Sequence, residues 1–433
     1  MKQVNHTVQS KNLTEPAPIN HSASSSGTLL YRVIEGSVTT PQGFQAGGLH
    51  CGLKKATRND IGAIVCDVPA VAAAVYTTNS FQAAPLDVTR ASLAEEGLLR
   101  AVIVNSGNAN ACTGKQGEAD AYRMRSAFAE QLGVPAHHVA VASTGVIGQL
   151  LKMDCVEQGI AELPGNLQSG ANGAEQFSQA ILTTDLVKKE VCTVVRVNGL
   201  DVHIGGSAKG SGMIHPNMAT MLGFVTTDAE IDGRALERLL KQVTDATFNM
   251  ITVDGDTSTN DMLVAMASGA AGNEQLDEQH PDWNAFAAAF QHVCEHLAKS
   301  IARDGEGATK LIEVRVTGAT SEDDARAIAK TVVGSSLVKS AVFGADANWG
   351  RVIAAVGYSG IKVNPETVDI DLGAIAVLRQ STPVLFDEDA ALVYLKGDTV
   401  VFTIDLHMGD GEATAWGCDL TYDYVRINAA YRT

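Results

Sequence analysis

Short apolar runs alternate with amphipathic stretches along this chain, and their two periods separate strands from helices. Residues 61–66, 101–104 and 139–142 are compact apolar runs that predict buried strands. Residues 191–197 and 201–204 flank Asn198-Gly199, a strong hairpin signal. Met221, Leu222, Phe224 and Val225 predict another buried strand, beginning near Thr220. Leu236, Leu239, Leu240 and Val243 repeat at helical spacing behind Asp232, a capping residue. Phe286, Phe290, Val293, Leu297 and Ile301 predict a long amphipathic helix. Further helices are expected over residues 88–100, over 118–133 with Gly133 as the stop, and over 171–182. Near residue 311 the pattern restarts. Ile312, Val314 and Val316 alternate with Glu313 and Arg315, Ser321 and Asp324 open a capped helix through Val332, and Val400, Phe402, Ile404 and Leu406 alternate again. The order predicts an α/β protein with a main unit over 29–310 and a smaller α/β lobe over 311–433. No Gly-x-Gly-x-x-Gly follows a strand at a helix start, which argues against a dinucleotide fold.

Charge and composition narrow the function classes. A formal charge of −17 argues against nucleic acid or an anionic membrane surface as partner. No run approaches the roughly 20 apolar residues of a membrane span; the best stretch, 63–76, is broken by Asp67 and Pro69. Residues 1–28 are polar, without Arg and without an apolar segment, so they read as a disordered extension and not as a secretory signal or transit peptide. The seven cysteines are scattered, without a Cys-x-x-Cys pair, and read as small buried hydrophobes of a reducing, cytoplasmic compartment.

Candidate chemistry concentrates in residues 205–228. Gly205, Gly206, Gly210 and Gly212 predict a permissive loop that enters a strand at Ala219-Thr220. A threonine hydroxyl is a weak nucleophile unless a base stands beside it, and a threonine at a chain N-terminus carries its own base. An α-amine titrates at roughly 7.7–8.0, which suits that role. Thr220 would reach this state by attacking the Ala219 carbonyl and losing the upstream chain; the plainer reading is a glycine-rich turn before a core strand. Other polar clusters sit at strand ends. Asn105-Ser-Gly-Asn-Ala-Asn110 reads as a turn, and Ser143-Thr144-Gly145 could turn N–H groups toward a ligand as an oxyanion hole requires. The acid-rich run 252–261, with Asp254, Asp256 and Asp261, superficially suggests a calcium loop but lacks the glycine and terminal glutamate of an EF-hand, so no metal is expected. Glu306 lies between two glycines in a loop after the long helix.

The run Lys209-Gly-Ser-Gly-Met-Ile-His-Pro-Asn-Met-Ala-Thr-Met-Leu222 resembles the autoprocessing signature of the ornithine acetyltransferase family, the bifunctional arginine-biosynthesis ArgJ proteins. Cys66-Asp-Val-Pro-Ala70, Val75-Tyr-Thr-Thr-Asn79, Asp346-Ala-Asn-Trp-Gly-Arg351 and the terminal Asn428-Ala-Ala-Tyr-Arg-Thr433 extend the resemblance over about residues 31–433. It implies a two-lobed α/β sandwich of the ArgJ and DmpA-like type, cut between Ala219 and Thr220 into α (1–219) and β (220–433) chains assembled as a heterotetramer. It implies that Thr220 is the nucleophile, that Thr144 and Gly145 form the oxyanion hole, and that Thr183, Lys209, Thr220, Glu306, Asn428 and Thr433 contact substrate. The implied substrates are N-acetylornithine and glutamate, with no cofactor, and acetyl-CoA stays open as a second acetyl donor. Two alternatives stand beside this one: a self-processing aminopeptidase or amidohydrolase, and an uncleaved binding protein with a glycine-rich cradle.

Overall fold

The structure is a computed structural model that describes residues 30–55, 57–215 and 221–430. The expected extension 1–28, the Ala219-Thr220 bond and Thr433 lie outside these residues. In chain order the elements are β1 (Tyr31–Ile34), β2 (Phe44–Leu49), β3 (Ile61–Tyr76), α1 (Ala84–Glu96), β4 (Leu98–Asn108), α2 (Gly114–Leu132), β5 (Val139–Val146), α3 (Met153–Glu162) and α4 (Ala171–Ile181). Then come β6 (Lys189–Val197), β7 (Leu200–Lys209), β8 (Leu222–Thr227), α5 (Gly233–Ala246), β9 (Ile251–Thr252), β10 (Met262–Ala267) and α6 (Trp283–Arg303). The remainder is β11 (Leu311–Ala319), α7 (Glu322–Gly334), α8 (Ser336–Phe343), α9 (Trp349–Gly357), β12 (Asp369–Leu372), β13 (Ile375–Arg379), β14 (Thr382–Pro383), α10 (Glu388–Leu395), β15 (Thr399–Asp405), β16 (Gly411–Cys418) and α11 (Tyr422–Ala430).

The strands form two mixed sheets. The first runs β1-β6-β7-β8-β10-β3-β4-β5, with β2 also on β3; the second runs β14-β13-β12-β15-β11-β16-β9. β8 pairs in parallel with β10, and β4 with β5. Helix α6 covers β6 and β7, α4 covers β2 and β3, and α7 covers β11 and β16. One apolar core joins α5, α6 and the second sheet; another lies between the first sheet and α4, where Phe177 meets Phe224 edge-on at 5.2 Å. Helix α5 follows the pattern that predicted it: the Asp232 carboxylate accepts from the Arg234 and Ala235 amides at 3.0 and 2.9 Å, and its apolar stripe is buried. The Asn198-Gly199 hairpin has both residues at positive φ, 49° and 76°, as the twist of the β6–β7 pair requires.

Four expectations change. The helix expected over 88–100 is α1 at Ala84–Glu96: Pro85 starts it and Gly97, at φ 67°, stops it. The amide-rich segment 105–110 is not a turn throughout; β4 continues to Asn108 because its side chains are satisfied internally. The Asn105 Oδ1 accepts from Ser143 Oγ at 2.6 Å, and its Nδ2 donates to the Asn108 carbonyl at 2.9 Å. Gly205 and Gly206 belong to β7, not to a loop. A Cβ on Gly205 would lie 2.1 Å from the Ser37 carbonyl, and one on Gly206 2.7 Å from Val293, so these glycines serve close packing. Among the cysteines, Cys66, Cys192, Cys294 and Cys418 are buried as expected, whereas Cys112 is exposed. No helix among the described residues is long and apolar enough to cross a membrane.

Candidate active site

Strand ends of the first sheet and loops from both halves of the chain enclose a cavity of about 210 Å³. Thr144 and Gly145 come from the end of β5, Thr183 from the loop after α4, Lys209 from the end of β7, Glu306 from the loop after α6 and Asn428 from α11. These six residues, scattered in sequence, share one cavity. Met221 and Leu222, which follow Thr220 in the chain, line it as well. Thr220, Ala219 and Thr433 lie outside the described residues.

The β4–β5 pairing sets the first wall. Thr144 and Gly145 stand opposite Ser106 and Gly107 in parallel register. Gly145 has φ 135°, and a Cβ there would meet the Gly107 carbonyl carbon at 2.3 Å. The corner is therefore open only to glycine. Asn260 ties the corner to the loop 252–261 by donating from Nδ2 to the carbonyls of Ala109 and Ser143, at 2.5 and 2.9 Å.

The second wall is a buried charge network. Lys209 Nζ donates to Thr183 Oγ1 at 2.7 Å and lies 3.8 Å from Asp185. Asp185 also accepts from the Gly210 amide at 2.6 Å and the Thr183 amide at 3.0 Å. Lys189, fully buried, bridges Asp185 at 2.8 Å and Asp304 at 2.7 Å. Burial opposes ionisation of Asp185, but the charges of Lys209 and Lys189 outweigh it and hold the carboxyl well below the usual carboxylate range. Asp304 moves the other way, because burial outweighs its pairing with Lys189.

The third wall carries a buried acid. Glu306 is 6% exposed, not the open loop residue its glycine neighbours suggest. Its amide donates to the Ser211 carbonyl at 2.9 Å, and its carboxylate accepts from Asn428 Nδ2 at 2.8 Å. Gly212 makes room for it: a Cβ there would sit 2.4 Å from the Glu306 carboxyl carbon.

The stretch leading to Pro216 is clamped. Asp254 accepts from the Met213 and Ile214 amides at 2.7 and 2.8 Å, so the carboxylate that hinted at calcium binds backbone instead. The Val253 amide donates to the Ile214 carbonyl at 2.7 Å, and Thr257 Oγ1 to the His215 carbonyl at 2.8 Å. Burial, with Lys330 nearby, pushes His215 down to about 4, so its imidazole is neutral at working pH. Sequence reasoning missed Lys189 and the Asp254 clamp. Lys189 stands just before the strand run 191–197, where its isolation from any motif gave no signal.

A larger cleft of about 610 Å³ lies elsewhere, between α6 and the β11–β16 edge. Ion pairs such as Lys299–Glu313 and Arg326–Glu322 line its walls.

Comparison with known proteins places the chain in a family. The ArgJ family model matches residues 45–433. The arginine biosynthesis bifunctional protein ArgJ of Geobacillus kaustophilus is 60% identical over 93% of this chain and 97% of its own length. The ArgJ protein of Bacillus anthracis is 56% identical over 93% of this chain and 98% of its own. Among solved structures, the Bacillus halodurans ArgJ protein is 62% identical, covering 49% of this chain and 100% of that chain, with a TM-score of 0.48. An ornithine acetyltransferase from Mycobacterium tuberculosis, complexed with ornithine, is 39% identical, covering 44% of this chain and 100% of that chain, with a TM-score of 0.41.

Proposed function

This chain belongs to the ArgJ family, and we propose that it transfers the acetyl group of N2-acetyl-L-ornithine to L-glutamate through an acetyl ester on Thr220. The chain first cuts itself between Ala219 and Thr220, giving chains 1–219 and 220–433 that stay together, two of each, in the cytoplasm. The freed α-amine of Thr220, directly or through a water, takes the hydroxyl proton as Oγ attacks the acetyl carbonyl. The oxyanion forms against Thr144 and Gly145, where the backbone of the β5 end is fixed by its pairing with β4. Ornithine leaves, glutamate enters, and its amine takes the acetyl group, so the kinetics are ping-pong.

Glu306 gives the cavity its preference for a cationic substrate arm. A buried carboxylate whose described side-chain partner is the Asn428 amide has acceptor capacity left for an ammonium. Lys209 and Thr183, already joined, face the substrate from the opposite wall, and Thr433 would extend the Asn428 side. The observation that carries this reading is the meeting of Thr144, Gly145, Thr183, Lys209, Glu306 and Asn428 in one cavity beside Met221. The relatives' description as bifunctional leaves room for a second reaction, and the reading includes glutamate acetylation by acetyl-CoA as that reaction, with no cofactor in either. The test is Thr220→Ala: the chain stays in one piece on a denaturing gel and transfers no acetyl group from acetylornithine. A Thr220→Ala protein that is still cut and still transfers acetyl overturns the proposal. Release of free acetate faster than transfer to glutamate would make the enzyme a hydrolase instead.

A further inference from the structure

One carboxyl group in the cavity has no task in the chemistry above. Asp261 lies at the end of the loop 252–261, directly before β10, and lines the cavity. It is 3% exposed. Its Oδ2 is buried and has no hydrogen-bond partner among the described residues. Other buried side-chain atoms share that condition, but Asp261 alone among them is an acid and alone among them lines the cavity. The parallel pairing of β8 with β10 brings Asp261 close to Met221, the residue that follows Thr220 in the sequence. The amide of Met262, its chain neighbour, donates to the carbonyl of Met221 at 2.9 Å.

An ionised carboxylate with one oxygen left unpaired in such a place is costly, so the group keeps its proton. Burial pushes Asp261 well above the ordinary carboxylate range, against the opposing influence of Ser258, the Lys209 charge and Thr77. Among the described residues, the other ionisable groups on this cavity are Lys209, Asp254, Asp256, Glu306 and Tyr424. Asp254 is engaged with the Met213 and Ile214 amides and Glu306 with Asn428.

We propose that Asp261 supplies the proton for self-cleavage. The inference rests on cleavage at Ala219-Thr220. Thr220 Oγ bonds to the Ala219 carbonyl carbon and the carbon–nitrogen bond breaks. The departing nitrogen, which already carries one hydrogen, takes the hydroxyl proton and the Asp261 proton to become an ammonium. The Asp261 carboxylate that remains pairs with that ammonium. Water then hydrolyses the ester, leaving the Ala219 carboxyl group and the Thr220 hydroxyl. Return of the proton to Asp261, which the same burial favours, restores the neutral amine that acetyl transfer uses as base.

The experiment follows conversion of freshly translated full-length chain on denaturing gels from pH 5 to pH 9, for wild type and Asp261→Asn. Asparagine keeps the shape and cannot give an acid proton. Cleavage is expected to slow by about 10²-fold or more, and its rate should lose the fall that wild type shows as Asp261 ionises at high pH. Folding is checked on the uncut background, where Thr220→Ala and Thr220→Ala/Asp261→Asn should melt alike. If they do not, Asp261→Glu takes the place of Asp261→Asn and should cleave with a shifted pH profile. Asp261→Asn cleaving at the wild-type rate, or slowly with the wild-type profile, overturns the inference, as does Asp261→Glu cleaving with an unshifted profile or not at all. A wild-type chain that is never cut overturns the functional reading instead.

Discussion

Replacing Lys189 by methionine removes the cation that holds two walls of the cavity together. Its Nζ bonds Asp185 at 2.8 Å and Asp304 at 2.7 Å, and also donates to the Val187 carbonyl at 3.2 Å. Methionine fills most of the volume, so packing changes little. Two charge-assisted bonds at about 1.5–3 kcal/mol each give a gross loss of about 3–6 kcal/mol. Removing one member of a buried ion cluster costs about 3–5 kcal/mol by the same order of reasoning. We expect a deficit of about 3–5 kcal/mol at pH 8. The deficit carries a pH signature. In the wild type the depressed Asp185 contributes stability above the unfolded carboxylate value of roughly 3.9 and loses it as pH falls through the lower folded value. In the variant two buried carboxylates face one site with a cation missing, and Asp304, already raised by burial, moves further above its unfolded value. A group so raised stabilises at low pH and loses that contribution as pH rises through its folded value. The deficit is therefore largest near pH 8 and shrinks toward pH 5. Guanidinium unfolding followed by tryptophan fluorescence at both pH values measures it. A deficit below about 1 kcal/mol, or one equal at both pH values, refutes the reasoning.

Three further outcomes are expected. Thr144→Val should lower kcat for acetyl transfer by about 10²–10³-fold with little change in KM, if the hydroxyl serves the oxyanion as donors of this kind do; a change in KM alone in steady-state assays would contradict that role. Glu306→Gln should raise KM for acetylornithine far more than KM for glutamate, because only the former brings a side-chain ammonium to the carboxylate that Asn428 holds at 2.8 Å; equal effects in the two half-reactions would remove Glu306 from that subsite. Asp232→Ala deletes the cap of α5 and should cost about 1 kcal/mol in a thermal melt, leaving transfer kinetics at the wild-type level.

The parts of the fold that local pattern decides were legible in the sequence. Helix α5 shows its cap and its stripe, Asn198-Gly199 its hairpin, and residues 139–142 their burial. The failures share a cause: the local signal was true, but a distant neighbour reversed it. Asn105 and Asn108 are turn formers whose side chains find partners in Ser143 and the loop after β5, so β4 runs through them. Gly205 and Gly206 look permissive, yet they are narrow because Ser37 and α6 press on them. Glu306 looks solvated between its glycines and is buried because Gly212 leaves it a space. Apart from the Thr144-Gly145 corner, which its small residues at a strand end suggested, the cavity residues became visible through the family resemblance, since no period links positions 183, 209, 306 and 428. Lys189 belongs to no motif and Asp261 only to the acid-rich run that hinted at calcium, and only the structure reveals the bridge of one and the unpaired oxygen of the other.

Mass spectrometry of active protein quenched during turnover with acetylornithine tests the chemistry at its source. The account predicts two fragments, the second beginning at Thr220 and heavier by one acetyl group that disappears when glutamate is added. A single intact chain that is fully active, or an acetyl group carried by any other residue, would contradict it.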